Sequence, residues 1–310
     1  MVASLGEPSM SLSTQVEAFI AYLHSERRYS VHTVSSYNRD LRRVVAYCDA
    51  NGVASWKDLH TPQLRQALSE FHRRGLGSRS LHRLLSTVRR FYEYLLRERL
   101  VYENPANGVR APKMTKRLPA TMDVDQAKQL LDSPVEEEEL EIRDQAIAEL
   151  FYTSGIRLSE LAGLDLAHLD LSEGLARVLG KGGKERLVPV GGQARKALRD
   201  WLQARASLAV AGEPAVFVSL RGGRLSRRSI QERLRQWAQK KGFSGRLYPH
   251  LFRHSCASHL LESSGDLRAV QELLGHADIS TTQIYTHLNF QHLAEVYDKA
   301  HPRARKRKKD

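Results

Sequence analysis

One stretch near the end of the chain organises the rest of the sequence. It contains three motifs: YPHLFRH at residues 248–254, GH at residues 275–276 and TQIYTH at residues 282–287. The first holds an H-x-x-R pair, the second a histidine after a glycine, and the third a tyrosine nine residues beyond that histidine. A histidine and an arginine three positions apart share one face of a helix. The imidazole, a proton-transfer group, and the guanidinium, a fixed cation, can therefore face the same small anion.

These residue types suit a phosphate as this anion, and we interpret it as a phosphate of DNA. Arg253 would be the cation and His250 the proton-transfer group, while Tyr285, brought to the same anion, would be a nucleophile. Each residue has an ordinary alternative: taken alone, His250 would be a core or capping histidine and Tyr285 a packing residue. Three other histidines of this region are predicted to be structural: His254, His259 and His287.

The charge of the chain indicates a polyanionic partner. Its 310 residues carry a formal net charge of +13. The excess is uneven, because residues 1–110 hold 16 basic and 10 acidic side chains and the last ten residues hold six basic and one acidic. A single basic run is usually a solvated surface. Two basic regions beside a phosphate-binding constellation indicate nucleic acid.

The sequence disfavours several classes of protein. It has no run of eighteen apolar residues that could form a transmembrane helix, and its N-terminus, MVASLGEPSM, lacks the basic-then-apolar order of a signal peptide. The two cysteines, Cys48 and Cys256, form neither a C-x-x-C motif nor a ligand cluster. No disulfide framework or zinc site is expected, and a cytoplasmic location fits best.

The first part of the chain is predicted to be a small all-α bundle over residues 12–104. Apolar residues recur at helical spacing from Leu12, behind a polar helix start at Ser30, after Thr61-Pro62, and from Ser78 to about Arg99.

Two of these helix starts carry short polar and basic side chains. Helix N-termini suit phosphate binding, and a helix can lie in the major groove of DNA. The alternative is ordinary capping with exposed arginines. The candidate DNA-binding residues here are Thr33, Ser78, Arg79, Ser80 and Arg83.

A break in the pattern separates two domains. Residues 104–119 hold three prolines, one glycine and four basic side chains, which predicts a linker over 105–119. This linker either lies along DNA or is a solvated connector. A second domain is predicted over 120–300, followed by a basic tail over 301–310.

The second domain is predicted to be mostly helical with a small β element. A helix over 142–154 ends at Gly155, and two strands flank a glycine-rich turn within 175–190 to form a β-hairpin. A short strand is expected at 215–219 and a last helix at 290–300. The loop after the short strand holds two more candidate DNA-binding residues, Arg221 and Arg224.

Six positions together match a known family. They are Arg157 in GIRLSEL, Lys181 in GKGGKER, His250 and Arg253 in PHLFRHS, His276 in LLGH and Tyr285 in TTQIYTH. In this order and in these local sequences they resemble the catalytic set of the tyrosine recombinases, and the resemblance covers residues 12–310. Departures are small: Leu251-Phe252 stands where relatives often have a basic residue followed by leucine, and the tail is more basic than expected.

The resemblance implies the fold and the chemistry. The fold would be mainly α with a small β-sheet (α+β): an N-terminal SAM-like core-binding bundle, then a tyrosine-recombinase catalytic domain, the two forming a C-shaped clamp around DNA. DNA would be cut and rejoined through a 3′-phosphotyrosyl intermediate, without a metal or another cofactor. Tyr285 would attack the phosphorus between Arg157 and Arg253, and His250 would take its proton.

The two remaining residues of the set have supporting roles in this resemblance. Lys181 would protonate the leaving 5′-oxygen from the tip of the hairpin. His276 would hydrogen-bond the phosphate or the tyrosine.

Within the family, residues 261–277 and 297–306 resemble most closely the recombinases that resolve chromosome dimers. This implies double-stranded DNA with a dif-like site, a XerD-type recombinase in a heterotetramer and an FtsK-type translocase as partners. It also implies that the last helix docks into a neighbouring protomer. The alternatives are an integrase of a mobile element, a type IB topoisomerase-like enzyme, and a DNA-binding protein that does not cleave.

Overall fold

The structure is a computed structural model that describes residues 11–27, 29–112, 121–136, 138–180, 185–275, 296–297 and 299–304. The chain divides into two compact units, residues 1–116 and 117–310. None of the helices in the described ranges is both long and apolar enough to cross a membrane.

Four helices build the first unit. They are α1 (Leu12–Ser25), α2 (Val31–Ala50), α3 (Thr61–Arg73) and α4 (Ser78–Arg97). Ser11 and Ser30 cap the first two helices by accepting a hydrogen bond from the N–H three residues on. The predicted all-α bundle is confirmed.

Aromatic side chains fill the centre of this unit. Trp56 packs edge-on against Phe91 with 4.8 Å between ring centroids, and its indole N–H donates to the carbonyl of Leu12 at 3.2 Å. The hydroxyl of Tyr92 donates to the carbonyl of Trp56 at 2.9 Å. Because the polar atoms of both rings are hydrogen-bonded, the segment between α2 and α3 is fixed against α1 and α4.

The second unit is mostly helical and contains one small sheet. Its helices are α5 (Val124–Leu131), α6 (Glu139–Ser154), α7 (Leu158–Ala162), α8 (Gly192–Leu208), α9 (Arg227–Lys240), α10 (Pro249–Ser264) and α11 (Leu267–Leu274). Its strands are β1 (Leu169–Asp170), β2 (Leu175–Leu179) and β3 (Glu185–Pro189).

Helix α6 is the centre of the second unit. It is buried on every side over 143–154, as expected of a helix whose apolar and polar residues do not separate into two faces. Helices α8 and α10 pack against it. It begins at Glu139, three residues before the predicted start, because the acidic run supplies its first turn.

The sheet is antiparallel in the order β1-β2-β3. Strands β2 and β3 pair with Leu175 opposite Pro189 and Val178 opposite Arg186, which confirms the predicted hairpin. The two-residue strand β1 is not predicted, since it is too short to show an alternating pattern.

The predicted strand at 215–219 is wrong. Ala215 and Val218 each form only a single bridge, to Asp165 and Arg224. The apolar run reflects burial of this segment between two loops rather than pairing in a sheet.

The end of the described chain packs onto the second unit. Tyr297, His301, Arg303 and Ala304 are buried, and the N–H of Gly192 donates to the carbonyl of Ala304 at 2.9 Å. Three of these buried residues fall in the stretch that is predicted to begin the basic tail. Most of the predicted helix over 290–300 lies outside the described residues.

Candidate active site

Arg157 lies where one helix ends and another begins. Gly155 closes α6 in the left-handed conformation, with φ of 55°, and Arg157 is the N-cap of α7. Its backbone N–H donates to Glu160 Oε2 at 2.8 Å, and its Nη1 donates to Glu160 Oε1 at 2.8 Å. The pairing fixes the guanidinium at the helix junction that the sequence predicts.

Arg253 reaches the same place from α10. Its Nη1 donates to the carbonyl of Gly155, and its Nη2 donates to the carbonyl of Leu274. Arg157 Nη2 donates to the carbonyls of Leu274, at 3.0 Å, and of Gly275, at 3.1 Å. The Leu274 carbonyl thus accepts from both arginines. Two predicted catalytic residues that are far apart in sequence therefore meet at the C-terminal end of α11.

The turn that ends α11 requires glycine. Gly275 has φ of 60°, and a Cβ at this position would lie 2.9 Å from Cδ and 3.0 Å from Nε of Arg186. Both the left-handed backbone and the close approach of Arg186 disfavour a larger residue.

Glu160 and Arg186 complete the cluster, although neither is a predicted site residue. Both are buried, and Arg186 Nη1 donates to Glu160 Oε1 at 2.6 Å. Burial opposes the charge of Glu160, but hydrogen bonds and charges from Arg186 and Arg157 outweigh it and hold the pKa of Glu160 below its usual value. Burial alternates along β3 with Arg186 and Val188 inward, so the period of two in ERLVP was the available signal for Arg186. No comparable signal marks Glu160.

His250 occupies the first turn of α10, one turn before Arg253. Its imidazole is accessible to solvent. Its pKa lies below the usual range, first because the surroundings partly desolvate the ring and then because His254, Arg253 and Arg157 oppose a further positive charge. The ring is therefore neutral at neutral pH and able to accept a proton.

His259 is a structural histidine, as predicted. It is buried, with Nδ1 at 2.8 Å from the hydroxyl of Tyr152 and Nε2 at 2.9 Å from the carbonyl of Met122. A carbonyl can only accept, so Nε2 carries the hydrogen and Nδ1 accepts from the tyrosine. Nδ1 thus links α10 to α6, and Nε2 links α10 to the segment just before α5.

Three of the six predicted catalytic residues lie outside the described residues, namely Lys181, His276 and Tyr285. His287, which is predicted to be structural, lies outside them as well. Their roles stay predictions. What the structure brings together is Arg157 and Arg253, with His250 on the helix that carries Arg253.

The candidate DNA-binding residues of the first unit lie at two helix starts. Thr33 is in the first turn of α2, where its N–H donates to Ser30 Oγ at 3.3 Å. Ser78, Arg79 and Ser80 form the first turn of α4, with Arg79 exposed and the two serines half-buried.

Arg83 is held by a buried carboxylate. Its Nε and Nη2 donate to the two oxygens of Asp40 at 2.8 and 2.9 Å. Asp40 is fully buried and also accepts from Arg43 Nη1 at 3.1 Å. About two-fifths of the Arg83 side chain is exposed, so the pair ties α4 to α2 and leaves part of the guanidinium facing solvent.

The two candidates of the second unit have different surroundings. Arg221 is exposed. Arg224 donates to Asp165 Oδ1 at 2.5 Å and to the carbonyl of Ala162 at 3.2 Å, so its guanidinium links its loop to the end of α7. DNA contacts of both residues stay predictions.

Comparison with known proteins gives one family match in each of the two units. Residues 120–292 match the model of the phage integrase family, and residues 16–99 match the phage integrase N-terminal SAM-like domain. The chain belongs to the phage integrase family of tyrosine recombinases.

Curated relatives extend the match to nearly the whole length. The chain is 56% identical over 297 residues to tyrosine recombinase XerC of Pseudomonas entomophila, covering 96% of this chain and 99% of the relative. It is 55% identical over 297 residues to tyrosine recombinase XerC of Pseudomonas putida (strain W619), with the same coverage. The chain is a Xer-type site-specific recombinase, an enzyme that breaks and rejoins DNA strands.

A solved structure shares the fold. The XerH site-specific recombinase, in a post-cleavage complex with a palindromic difH substrate, superposes with a TM-score of 0.70 at 21% identity, covering 94% of this chain and 85% of that one. The chain therefore shares its mainly α fold, with one small sheet, with XerH.

Proposed function

We propose that this recombinase acts with a XerD-type partner at a dif-like site. The two proteins would form a heterotetramer in the cytoplasm that resolves chromosome dimers to monomers during cell division, under the control of an FtsK-type translocase. The proposal rests on the high identity to relatives named XerC over almost the full length. Its chemistry rests on one observation, the convergence of Arg157 and Arg253 on the end of α11.

The two arginines bind the scissile phosphate in this mechanism. A phosphodiester resists attack because it is anionic and its leaving alkoxide is poor. Guanidinium groups offset the charge that grows on the non-bridging oxygens as the phosphorus becomes pentacoordinate. In the structure these groups donate to the carbonyls of Leu274, Gly275 and Gly155. Phosphate oxygens would replace part of these carbonyl acceptors when DNA binds.

Tyr285 is the proposed nucleophile. Its oxygen bonds to phosphorus, the bond to the 5′-oxygen breaks, and the products are a 3′-phosphotyrosine and a free 5′-hydroxyl. His250 takes the phenol proton, and its lowered pKa keeps the imidazole in the neutral form that can accept it at neutral pH. Lys181 protonates the departing 5′-oxygen, and His276 hydrogen-bonds the phosphate or the tyrosine. The reverse reaction with a 5′-hydroxyl of a partner strand rejoins the DNA, because the phosphotyrosine keeps the bond energy.

Assembly would couple the protomers. We propose that residues 290–300 dock into a neighbouring protomer. In the single chain, Tyr297 and Arg303 are buried in their own unit. Docking of residues 290–300 on a neighbour therefore requires Tyr297 to leave its buried position, whereas Arg303 lies beyond the docking segment.

A nicked suicide substrate tests the chemistry. The 5′-hydroxyl of the cleaved fragment diffuses away, so the covalent protein–DNA adduct accumulates and can be counted on a denaturing gel. Wild type is expected to form the adduct, and Tyr285→Phe is expected to form none. An adduct with Tyr285→Phe, or none with wild type, contradicts the proposed nucleophile.

A second experiment tests the biological role. Adducts are mapped on the host's chromosome-terminus site with and without a second recombinase, and strand exchange between two duplexes is measured. Exchange that needs the partner supports the Xer role. Exchange on an unrelated site without a partner indicates an integrase of a mobile element, whereas relaxation of supercoils without exchange indicates a type IB topoisomerase-like enzyme. Binding without any adduct indicates a protein that does not cleave.

A further inference from the structure

Arg186 is a buried arginine whose hydrogen-bonding capacity is only partly used. Its side chain is 6% exposed, and its Nη1 donates to Glu160 at 2.6 Å. Its Nε and Nη2 have no hydrogen-bond partner among the residues that the structure describes. A buried, unsatisfied N–H group is costly and rare in a folded protein, so the position requires an explanation beyond packing.

The charges around Arg186 do not balance. Among the described residues, the ionised side chains that act on Arg253 are Arg157, Arg186 and Glu160. The other acceptors of these arginines are neutral backbone carbonyls. Within the described part of the chain, the cluster therefore contains three guanidinium groups and one carboxylate, an excess of two positive charges.

The surroundings of Arg253 oppose its positive charge. Burial first, and then the positive charges of Arg157 and Arg186, lower the pKa of Arg253 to about 10, and Glu160 offsets only part of this fall. The carboxyl of Glu160 stays ionised, because Arg186 and Arg157 outweigh its desolvation. The cluster is therefore held ready for an anion rather than neutralised within the protein.

We propose that Arg186 supplies the second excess positive charge, which makes the cluster complementary to the doubly charged pentacoordinate phosphorus rather than to the singly charged phosphodiester. The inference rests on the proposed function. When the tyrosine loses its proton to the base and its oxygen bonds to phosphorus, the phosphoryl group gains one negative charge. That charge leaves with the 5′-oxygen, which is then protonated. Without Arg186, the described side chains of the cluster would keep one excess charge, which matches the ground state only.

Arg186 also positions Arg157. Both arginines donate to Oε1 of Glu160, at 2.6 and 2.8 Å, so Arg186 helps to fix the carboxylate that holds Arg157. A purely structural role and the charge role make different predictions. If Arg186 only positions Arg157, its loss lowers the rate of adduct formation with any substrate. If its charge matters, the loss lowers the rate only with a substrate whose phosphorus becomes doubly negative.

The test uses Arg186→Gln, which keeps an N–H donor for Glu160 and removes the charge. On the nicked substrate we expect DNA affinity to change less than about 3-fold and the single-turnover rate of adduct formation to fall about 100-fold. Arg186→Lys, which keeps the charge, is expected to stay within about 10-fold of wild type. Arg177→Gln removes an exposed arginine from β2 of the same sheet and should leave the rate unchanged.

A substrate with a neutral methylphosphonate at the scissile position separates the two roles. Its pentacoordinate state carries one negative charge, so wild type and Arg186→Gln should react within about 10-fold of each other. An equal deficit on both substrates overturns the charge role. If Arg186→Gln does not fold, as judged by unfolding and DNA affinity, Arg186→Met, which fills the site without charge, takes its place with the same expectation.

The outcome for Arg186 is separable from that for the proposed nucleophile. If wild type forms no adduct on the phosphodiester, the proposed function fails. If wild type forms the adduct and Arg186→Gln is equally fast, or equally slow on both substrates, only the role of Arg186 fails.

Discussion

Gly275 is the residue whose replacement tests the packing of the arginine cluster most directly. We predict that Gly275→Ala destabilises the protein more than Gly265→Ala does. Both glycines end a helix, with φ of 60° and 66°, but only at Gly275 would a Cβ meet another side chain, at 2.9 Å from Arg186 Cδ. The left-handed backbone costs about 1 kcal/mol in each variant, and crowding adds roughly 1–3 kcal/mol at Gly275.

Urea unfolding of the two glycine variants measures this difference. Gly265→Ala is the matched control, because open space surrounds its Cβ position. Equal losses in the two variants would mean that Arg186 moves aside at no cost. Gly275→Ala should also slow adduct formation, since the displaced arginine is the one that pairs with Glu160.

His250 gives a prediction about pH. Its pKa is lowered by partial desolvation and by His254, Arg253 and Arg157. A base with a lowered pKa loses its proton-accepting form only when the pH falls below the usual histidine range. The single-turnover cleavage rate at saturating DNA should therefore be flat near neutrality and decline only when the pH falls below the usual histidine range.

Two variants check the origin of this decline. His250→Gln should remove the acidic limb and lower the rate by about 100-fold or more. His254→Gln should retain the limb and move it to higher pH, because one opposing charge is gone. If the acidic decline of the rate persists unchanged in His250→Gln, another group causes it.

Among the helices, α2 and α4 are joined by one buried carboxylate in addition to their apolar packing. Asp40 is fully buried and accepts from Arg83, Arg43 and Thr87. We predict that Asp40→Asn lowers the free energy of unfolding by about 2 kcal/mol, because charge-assisted hydrogen bonds become neutral ones. It should also weaken DNA binding, since Arg83 loses its fixed orientation.

Asp49→Asn is the control for this prediction. Asp49 lies on the same helix but is exposed, so its replacement should change stability by less than about 0.5 kcal/mol. Urea unfolding gives the stability, and fluorescence anisotropy with labelled duplex gives the affinity. If Asp40→Asn is as stable as wild type, the carboxylate does not hold the two helices together.

The helices also show what the sequence could and could not predict. The bundle of the first unit, the hairpin and the junction at Arg157 follow from local spacing, because capping and apolar periodicity act within a few residues. The strand expected at 215–219 fails, since an apolar run reports burial and not a pairing partner. The cluster around Glu160 joins α7, β3, α10 and α11, and no local pattern specifies which buried charges will share one carboxylate.

At the scale of the whole molecule, the end of the chain has two parts with different properties. Arg303 donates to both oxygens of buried Glu149, and its Nη1 donates to Asp132 at 2.8 Å. Burial raises the pKa of Glu149, and the Arg303 charge opposes that rise. The buried segment thus anchors the chain after the region that carries Tyr285. Residues 305–310, RKRKKD, follow this anchor with five basic side chains and one acidic.

We predict that the anchor governs stability and that the basic tail governs affinity for DNA. Arg303→Met should cost about 3 kcal/mol in unfolding free energy, because it leaves a buried carboxylate without its cation. A chain that ends at Ala304 should unfold like wild type. Its DNA affinity should fall at low salt, and the slope of log affinity against log salt should decrease by about 0.9 for each phosphate that the tail neutralises in wild type. If the shortened chain binds DNA with an unchanged salt slope but no longer exchanges strands with a partner recombinase, the tail acts in protomer exchange instead.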